Sequence, residues 1–305
     1  MPAPPLVVVG ASAGGVEALS RLVSLLPADL PAAILVVMHV APSAPAVLPR
    51  ILARAGSLPV EDAMHGMPIE AGRVYVAPGD QHLIVVEDCL ALVRGPRENG
   101  HRPAVDPLFR SAARQHGPRV AAVVLSGNLS DGTHGLAQVR QRGGLTLVQD
   151  PGEALFDGMP RSAIAEVRVD AVLPVAGLAR AIEQFARAAS PEFAASEVRM
   201  GDGHENGRPM ADADVVLASA TDEVELDGVG GIDIGQDVNA ALGGALAPYT
   251  CPECRGNLWE IDDGHPSRFR CRVGHSYDEP ALIHHKDAAL EAALWTAVTA
   301  LEENA

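Results

Sequence analysis

The chain has 305 residues, of which 48% are hydrophobic, and its formal net charge is −16. This length allows one large hydrophobic core together with a smaller module. The negative charge excludes a sequence-independent nucleic-acid binder, because such proteins need clustered Lys and Arg to contact phosphates. No apolar run approaches the roughly 20 residues that span a bilayer, and the N-terminus lacks the features of a signal peptide. We therefore expect a cytoplasmic protein that does not insert into the membrane.

Short apolar runs alternate with amphipathic stretches over the first 190 residues. Strands are predicted at 6–10, 32–39, 119–125, 145–149 and 171–173, and helices at 14–26, 45–55, 105–116, 133–142 and 176–188. Three further runs, at 73–77, 82–87 and 89–94, predict an antiparallel excursion. Nearly continuous apolar strands separated by helices indicate a parallel sheet with both faces covered. The predicted fold class is α/β, with a doubly wound, mostly parallel sheet.

The following segment, residues 191–247, is acidic and rich in Gly. Its like charges and low aromatic content favour a flexible linker over an acidic docking strip. We therefore predict three parts: an α/β domain at 1–190, the linker at 191–247, and a small zinc-ribbon-like module at 248–305. Helical spacing of apolar residues from about residue 279 predicts that a helix closes the module.

A Gly-rich turn, GASAGG, links the first strand to the first helix. It suits anion binding, but Ser12 occupies the second Gly position of a Gly-x-Gly-x-x-Gly dinucleotide fingerprint, and no P-loop ending follows. The same residues match Gly-x-Ser-x-Gly, which exposes a nucleophilic serine and directs the N–H of Ala13 toward an oxyanion. On the turn alone, an equally good interpretation is that Ser12 caps the helix.

A nucleophilic serine needs a histidine base and an acid that orients it. His39 ends the second predicted strand in LVVMHVAP, and Asp131 follows a later strand in the loop SGNLSDGTHG. Because the carboxyl ends of parallel strands meet at one edge of a sheet, we expect Ser12, His39 and Asp131 to lie together. The alternatives are a structural role for His39, an N-cap role for Asp131, and His134 as a competing base.

These motifs resemble the chemotaxis-receptor protein-glutamate methylesterases (the CheB catalytic domain) over residues 6–187. The resemblance rests on six motifs in order, namely VVVGASAGGVEAL, VVMHVAP, YVAPGDQHL, RPAVDPLFRSAA, VVLSGNLSDGTHGL and GMPRSAIA. It implies hydrolysis of γ-glutamyl methyl esters on chemoreceptor-like signalling proteins, often with glutamine deamidation, and no catalytic cofactor. By motif position it implies Ser12 as nucleophile, His39 as general base and acid, and Asp131 as the residue that orients His39.

The resemblance also maps the oxyanion region of the family, to the backbone of Ala13, Gly127 and Asn128. Asn128 stands where the family usually has methionine, so a more polar pocket is expected. Members of the family usually carry a receiver domain ahead of the catalytic domain, whereas residues 1–5 alone precede the first strand here. The resemblance therefore predicts that receiver phosphorylation in cis does not regulate this chain.

The segment CPECRGNLWEIDDGHPSRFRCRVGH carries a metal-binding pattern. Cys251 and Cys254 form C-x-x-C, and Cys271 and His275 form C-x-x-x-H. Two such knuckles predict a tetrahedral Zn²⁺ site, with His265 as a weaker candidate for the fourth ligand. Four protein ligands leave no position for water, so we expect a structural metal.

Two functions remain open from the sequence. The favoured one is a stand-alone protein-glutamate methylesterase with a zinc-ribbon extension, because Ser, His and Asp are all present. The other is a non-catalytic signalling or scaffold protein that uses the methylesterase fold to bind a helical partner. Asn128 and the expected lack of a receiver domain are the features that leave room for the second.

Overall fold

The computed structural model describes residues 3–42, 46–190, 244–261 and 267–303. Most of the predicted acidic linker, up to residue 243, lies outside the described residues, as does His265. The first strand of the C-terminal module begins at residue 244, four residues before the predicted start of the module at 248.

The main sheet is parallel throughout. Its strands are β1 (Leu6–Ala11), β2 (Ala33–Met38), β3 (Val60–Asp62), β4 (Val74–Val76), β7 (Val120–Val124), β8 (Leu145–Gln149) and β9 (Ala171–Leu173). They lie in the order β3-β4-β2-β1-β7-β8-β9, and every neighbouring pair is parallel. This arrangement confirms the predicted doubly wound α/β fold.

Helices cover both faces of the sheet. They are α1 (Gly15–Ser24), α2 (Leu48–Ala55), α3 (Val105–His116), α4 (Thr133–Gln141), α5 (Gly158–Glu166) and α6 (Val175–Ala188). Alternate residues of β1 serve different faces, because successive side chains of a strand point in opposite directions. Val7 and Val9 pack with α1, α2 and α6, whereas Leu6 and Val8 pack with α3, α4 and α5.

The predicted antiparallel excursion at 73–94 is partly wrong. Strands β5 (His82–Val86) and β6 (Cys89–Val93) do form an antiparallel hairpin. The run at 73–77 instead supplies β4, which pairs in parallel with β2 and β3 inside the main sheet. Its three central residues are fully buried, as expected for a strand with neighbours on both sides, but a strand this short gives no signal of its direction.

The order of the strands reverses at β1. Strand β2 lies on one side of it and β7 on the other, so their crossover helices depart to opposite faces. A crevice forms at the carboxyl ends of the strands at such a switch point, and ligands of α/β sheets bind there. The turn at Ser12 and the residues that follow β2 and β7 therefore share one edge.

The C-terminal module is a small antiparallel sheet followed by a long helix. Its elements are β10 (Gly244–Thr250), β11 (Asn257–Ile261), β12 (Arg268–Cys271), β13 (Ser276–Asp278) and α7 (Glu279–Glu303). Its core is a compact cluster that includes Leu258, Phe269 and Tyr277 together with two of the cysteines. Among the described residues, no helix has both the length and the hydropathy needed to cross a bilayer.

Candidate active site and metal centre

The turn after β1 places Ser12 two residues before the N-cap of α1. Gly14 is the N-cap of α1 and has φ 70°, a left-handed conformation that glycine adopts without strain. The N–H of Ser12 donates to the carbonyl of Ser126 (2.9 Å), and its own carbonyl accepts from Gly15 (2.9 Å). Since Gly14 caps the helix without a side-chain hydrogen bond, the helix-cap interpretation of Ser12 is wrong.

Ser12, His39 and Asp131 form one chain of hydrogen bonds. Nδ1 of His39 lies 3.1 Å from Oγ of Ser12, and Nε2 of His39 lies 2.6 Å from Oδ2 of Asp131. The side chains of His39 and Asp131 are only 6% and 2% exposed. Because an ionised carboxylate only accepts hydrogen bonds, the proton of a neutral His39 lies on Nε2, which leaves Nδ1 to accept from the serine hydroxyl.

Asp131 is ionised despite its burial. The N–H groups of Val105 and Asp106, at the start of α3, lie 2.6 and 3.3 Å from its two carboxylate oxygens, and Nδ2 of Asn99 donates to Oδ1 at 3.1 Å. Burial raises the pKa of Asp131, but the hydrogen bond and charge of His39 and the N–H of Val105 outweigh it and hold the pKa well below its usual value. The N-cap of the following helix is Gly132, so the N-cap interpretation of Asp131 is wrong.

Two neighbours of the triad were missed by the sequence analysis. The ring of His101 stacks on that of His39, with centroids 3.6 Å apart and planes 10° from parallel. Burial and the charge of His39 lower the pKa of His101 to about 4, so it is neutral at pH 7. Asp106 is the second neighbour, and burial and the charge of Asp131 raise its pKa well above the usual value. Both lie in or beside the motif RPAVDPLFRSAA, which was the only signal for them.

The residues assigned to the oxyanion region differ in what their backbones offer. The N–H of Gly127 donates to the carbonyl of Phe156 at 3.0 Å and is therefore committed, so the expectation for this N–H needs correction. Among the described residues, no group accepts a hydrogen bond from the N–H of Ala13. The side chain of Asn128 is exposed. The N–H of Ala13 is therefore available to a ligand, whereas that of Gly127 is not.

Gly127 has a packing role instead. A Cβ at this position would overlap Sδ of Met159 and would come within 2.9 Å of Cβ of Ser12. Only glycine therefore lets the loop after β7 approach the serine turn this closely. The next residue but one, Leu129, has φ 62°, a conformation that costs a non-glycine residue roughly 1 kcal/mol or more.

An open cleft of about 350 Å³ lies beside His39. It is lined by His39, Val40, Pro42, Arg97, His101 and Arg102. The guanidinium of Arg102 is bound to Asp80, with its Nε at 3.0 Å from Oδ1. The cleft therefore has a mixed apolar and basic wall beside His39.

The four predicted metal ligands converge in the module. Nδ1 of His275 lies 3.6 Å from Sγ of Cys251 and 3.5 Å from Sγ of Cys271, and Sγ of Cys254 lies 3.6 Å from Sγ of Cys271. All four donor atoms lie within 4.8 Å of one another. Zn–S bonds of 2.3 Å in a tetrahedron place sulfur atoms about 3.8 Å apart, so these residues fit a tetrahedral metal ion.

Local backbone features build the two knuckles. Arg255 has φ 64° and reverses the chain directly after Cys254. Gly274 has φ 106° and reverses it between Cys271 and His275. The remaining ring nitrogen of His275, Nε2, lies 3.2 Å from the carboxylate of Glu253. Such a carboxylate partner fixes the orientation of a metal-binding imidazole. The arrangement can hold one Zn²⁺ ion without help from a fifth group.

Comparison with known proteins identifies the family of the α/β domain. A family model described as CheB methylesterase matches residues 7–182. A protein-glutamate methylesterase/protein-glutamine glutaminase of Anaeromyxobacter dehalogenans is 43% identical over 182 residues, which are 60% of this chain and 53% of the relative. A relative of the same name from Methanosarcina mazei is 38% identical over 187 residues, covering 59% of this chain and 51% of the relative.

A solved structure gives the same answer for the fold. The CheB methylesterase catalytic domain of Thermotoga maritima is 33% identical and matches with a TM-score of 0.58, covering 60% of this chain and 98% of that domain. The chain spans about half the length of the curated relatives it matches. The shared part is the α/β domain that carries Ser12, His39 and Asp131. The chain therefore belongs to the CheB methylesterase family.

Proposed function

We propose that the chain is a serine hydrolase that removes methyl esters from glutamate side chains of chemoreceptor-like signalling proteins. The observation that carries the proposal is the continuous hydrogen-bonded chain from Oγ of Ser12 through His39 to Asp131. The names of the relatives, which pair a glutamate methylesterase with a glutamine glutaminase, support the same substrate class.

In the first step, Oγ of Ser12 attacks the carbonyl carbon of the γ-glutamyl methyl ester. Nδ1 of His39 takes the hydroxyl proton as the C–O bond forms, and the ionised Asp131 stabilises the imidazolium that results. The N–H of Ala13 is the proposed donor to the oxyanion. When the tetrahedral intermediate collapses, His39 returns the proton to the methoxide, and methanol leaves.

The second step hydrolyses the acyl-enzyme. His39, neutral again, takes a proton from water while the oxygen of that water attacks the Ser12 ester. Collapse returns the proton from His39 to Oγ of Ser12 and releases the glutamic acid product, whose carboxyl proton passes to the solvent to give the carboxylate. Deamidation of glutamine follows the same course with ammonia as the leaving group, so we propose it as a second activity of this site.

We also propose that Cys251, Cys254, Cys271 and His275 bind one structural Zn²⁺ ion. The proposal is supported by the mutual distances of the four donors and by the carboxylate of Glu253 beside His275. When bound, the ion would hold the two knuckles of the module together. The division into a catalytic domain at 1–190, a linker at 191–247 and a module at 248–305 stays a prediction, as does a cytoplasmic location.

The experiment is methanol release from a methyl-esterified chemoreceptor, with Ser12→Ala as the matched variant. We expect the wild-type protein to release methanol and the variant to be slower by at least about 10³-fold, as for other activated serine nucleophiles. The scaffold alternative predicts that neither protein releases methanol above the rate in buffer. Equal release from both proteins would contradict the role of Ser12.

A further inference from the structure

The C-terminal module packs directly against the loop that precedes α3. The carbonyl of Ser276 accepts from the N–H of Asn99 (2.8 Å), and the N–H of Ser276 donates to the carbonyl of Arg97 (3.3 Å). These bonds place β13 alongside residues 97–99 as if it were an added strand. The module is thereby attached to the domain by backbone hydrogen bonds rather than by surface side chains alone.

Asn99 connects this contact to the triad. Its Oδ1 accepts from the N–H of Asp278 (2.9 Å), while its Nδ2 donates to Oδ1 of Asp131 (3.1 Å) and to Oδ2 of Asp106 (3.1 Å). The residue is 4% exposed and has φ 50°, a left-handed conformation. With one oxygen held by the module, the orientation of the amide is fixed, and its N–H₂ group must face Asp131.

A second connection reaches the residue next to Asp131. Oδ1 of Asp278 accepts from Oγ of Ser130 (2.7 Å) and from the N–H of Ala281 at the start of α7 (2.9 Å). Asp278 and Ser130 are 4% and 1% exposed. The loop that carries Asp131 is therefore fastened to the module one residue before the triad aspartate.

Packing around these bonds leaves little room for movement. Nε2 of His285, on α7, lies 3.2 Å from the carbonyl of Asn99, and a Cβ on Gly100 would overlap the His285 ring. Glu98 forms two hydrogen bonds with Arg110 of α3, at 2.8 and 2.9 Å, and lies 4.0 Å from Arg268 of the module. The interface is thus buried, and both the domain and the module contribute charged side chains to it.

From these contacts we propose that the C-terminal module is a positioning element of the active site. Asn99, Ser130 and Asp278 are positioning residues, and they hold Asp131 in the orientation that His39 requires. The inference rests on the proposed function for its kinetic consequence, but the contacts themselves do not depend on the identity of the substrate.

The metal ligands are close to this network in the chain. Strand β13 begins at the residue after His275, so the last knuckle leads directly into Ser276 and Asp278. A metal ion that fixes His275 would therefore also fix the strand that orients Asn99. The proposal predicts that loss of the metal or of the folded module lowers the reactivity of Ser12, although the metal centre and the triad have no residue in common.

The test uses the full chain, three test variants and one control variant. Asp278→Ala removes the oxygen that accepts from Ser130. Ser130→Ala removes the donor of the same hydrogen bond and leaves every residue of the module unchanged. Asp278→Asn keeps an oxygen that can accept from Ser130 and Ala281. Glu260→Gln, at an exposed position of β11, is the control within the module. Thermal unfolding is recorded for each protein so that misfolded variants are recognised.

Two readouts are taken. The first is the rate of covalent labelling of Ser12 by a fluorophosphonate, together with kcat and KM for methanol release from the receptor. We expect Asp278→Ala and Ser130→Ala to lower the labelling rate and kcat by about 10- to 100-fold with little change in KM, since reaction geometry and not binding is affected. We expect Asp278→Asn to stay within about threefold of wild type.

The second readout is hydrogen–deuterium exchange of the segment 97–106, which does not depend on catalysis. We expect faster exchange there in Ser130→Ala and Asp278→Ala, and also after removal of the metal by a chelator. Wild-type labelling and exchange in both alanine variants would overturn the proposal. If the wild-type protein released no methanol and resisted labelling, the proposed function would fail, while the exchange data would still decide the positioning role.

Discussion

The α/β domain and the C-terminal module are stabilised differently, because the size of the hydrophobic core differs between them. The domain buries two large apolar clusters, one on each face of its sheet, and places its reactive side chains at the edge. Among the residues that the structure describes, the module has a single core of eight buried residues, and two of them are cysteines of the candidate metal site. A core this small rarely supports a fold alone, so a metal ion or a docking partner must contribute.

The difference shows why the two parts meet where they do. The domain itself supplies two of the hydrogen bonds to Asp131, from backbone N–H groups at the start of α3. The module supplies the bonds that fix Asn99 and Ser130, which the domain leaves incomplete. In the proposed arrangement the domain stabilises the module, and the module fixes the orientation of Asp131.

We expect removal of the metal to have the largest effect, because it should unfold the module and leave the domain folded. Structural zinc contributes about 10 kcal/mol or more to the folding of small zinc modules. We expect about one zinc per chain, lost in Cys251→Ser, with loss of structure in the module while the helical circular dichroism of the domain persists. Both tryptophans of the chain, Trp259 and Trp295, lie in the module, so a red shift of their fluorescence reports on the module alone.

Elemental analysis of the purified protein provides the check. A protein that contains no zinc, or that keeps its tryptophan emission after chelation, would contradict the assignment of the four ligands.

The next largest effect is expected from Asp131→Asn. An amide cannot hold His39 in the tautomer that leaves Nδ1 free to accept a proton, and such a change lowers kcat about 10⁴-fold in serine hydrolases. Steady-state methanol release measures the effect, and a loss of less than about tenfold would show that the bond between His39 and Asp131 is not used.

Glu98→Gln tests the charged part of the interface. Removing one partner of a buried ion pair costs about 3–5 kcal/mol of the free energy of unfolding, because the buried guanidinium of Arg110 would lose the charge of the carboxylate to which it donates two hydrogen bonds. Glu183→Gln, which removes one partner of an exposed pair with Arg187, is the matched control and should cost less than about 1 kcal/mol. Denaturant titration of both variants gives the comparison, and equal costs would mean that the interface pair is not desolvated.

The same carboxylate has a pH signature. Burial raises the pKa of Glu98, but the charge and hydrogen bonds of Arg110 outweigh it and lower the pKa to about 2. A lowered pKa contributes stability above the ordinary value of 4.5 that is lost as the pH falls through about 2. The difference between wild type and Glu98→Gln should therefore shrink in this acid range.

Asp278→Asn is expected to give the smallest change, and its sign depends on pH. Burial, followed by the charges of Asp131 and Glu166, raises the pKa of Asp278 to about 6, against the hydrogen bonds from Ser130 and Ala281. For a raised pKa, the contribution to stability is complete below 3.8 and is lost as the pH rises through about 6. Above this range, ionisation of Asp278 therefore lowers the free energy of unfolding of the wild-type protein by up to about 3 kcal/mol, and this loss is absent in the amide variant.

We expect the free energy of unfolding of Asp278→Asn, relative to wild type, to increase between pH 4 and pH 8. Denaturant titrations at the two pH values measure this difference. A constant difference would show that Asp278 is ionised at both.

The sequence was most informative where chain order and fold geometry coincide. Ser12 and His39 each follow a buried strand directly, and Asp131 follows the next neighbour of β1, so a parallel sheet brings all three to one edge. The ligand spacing of the knuckles was equally direct. By contrast, residues 73–77 gave no sign of strand direction, because a three-residue apolar strand looks the same in a parallel and an antiparallel setting.

The rest depends on contacts that no local pattern encodes. Asn99 and Asp278 are 179 residues apart, and their hydrogen bond exists only because β13 adds to the loop before α3. The stacking of His101 on His39 also follows from the path of that loop. The committed N–H of Gly127 could be recognised only once the carbonyl of Phe156 was in place.

The most direct test of the central claim is peptide mapping after acid quench during turnover of a methylated receptor. We expect a glutamyl ester on the peptide that contains Ser12, formed as methanol is released and absent in Ser12→Ala, which should release methanol at least about 10³-fold more slowly. Methanol release with Ser12 unmodified, and at the same rate in Ser12→Ala, would contradict it.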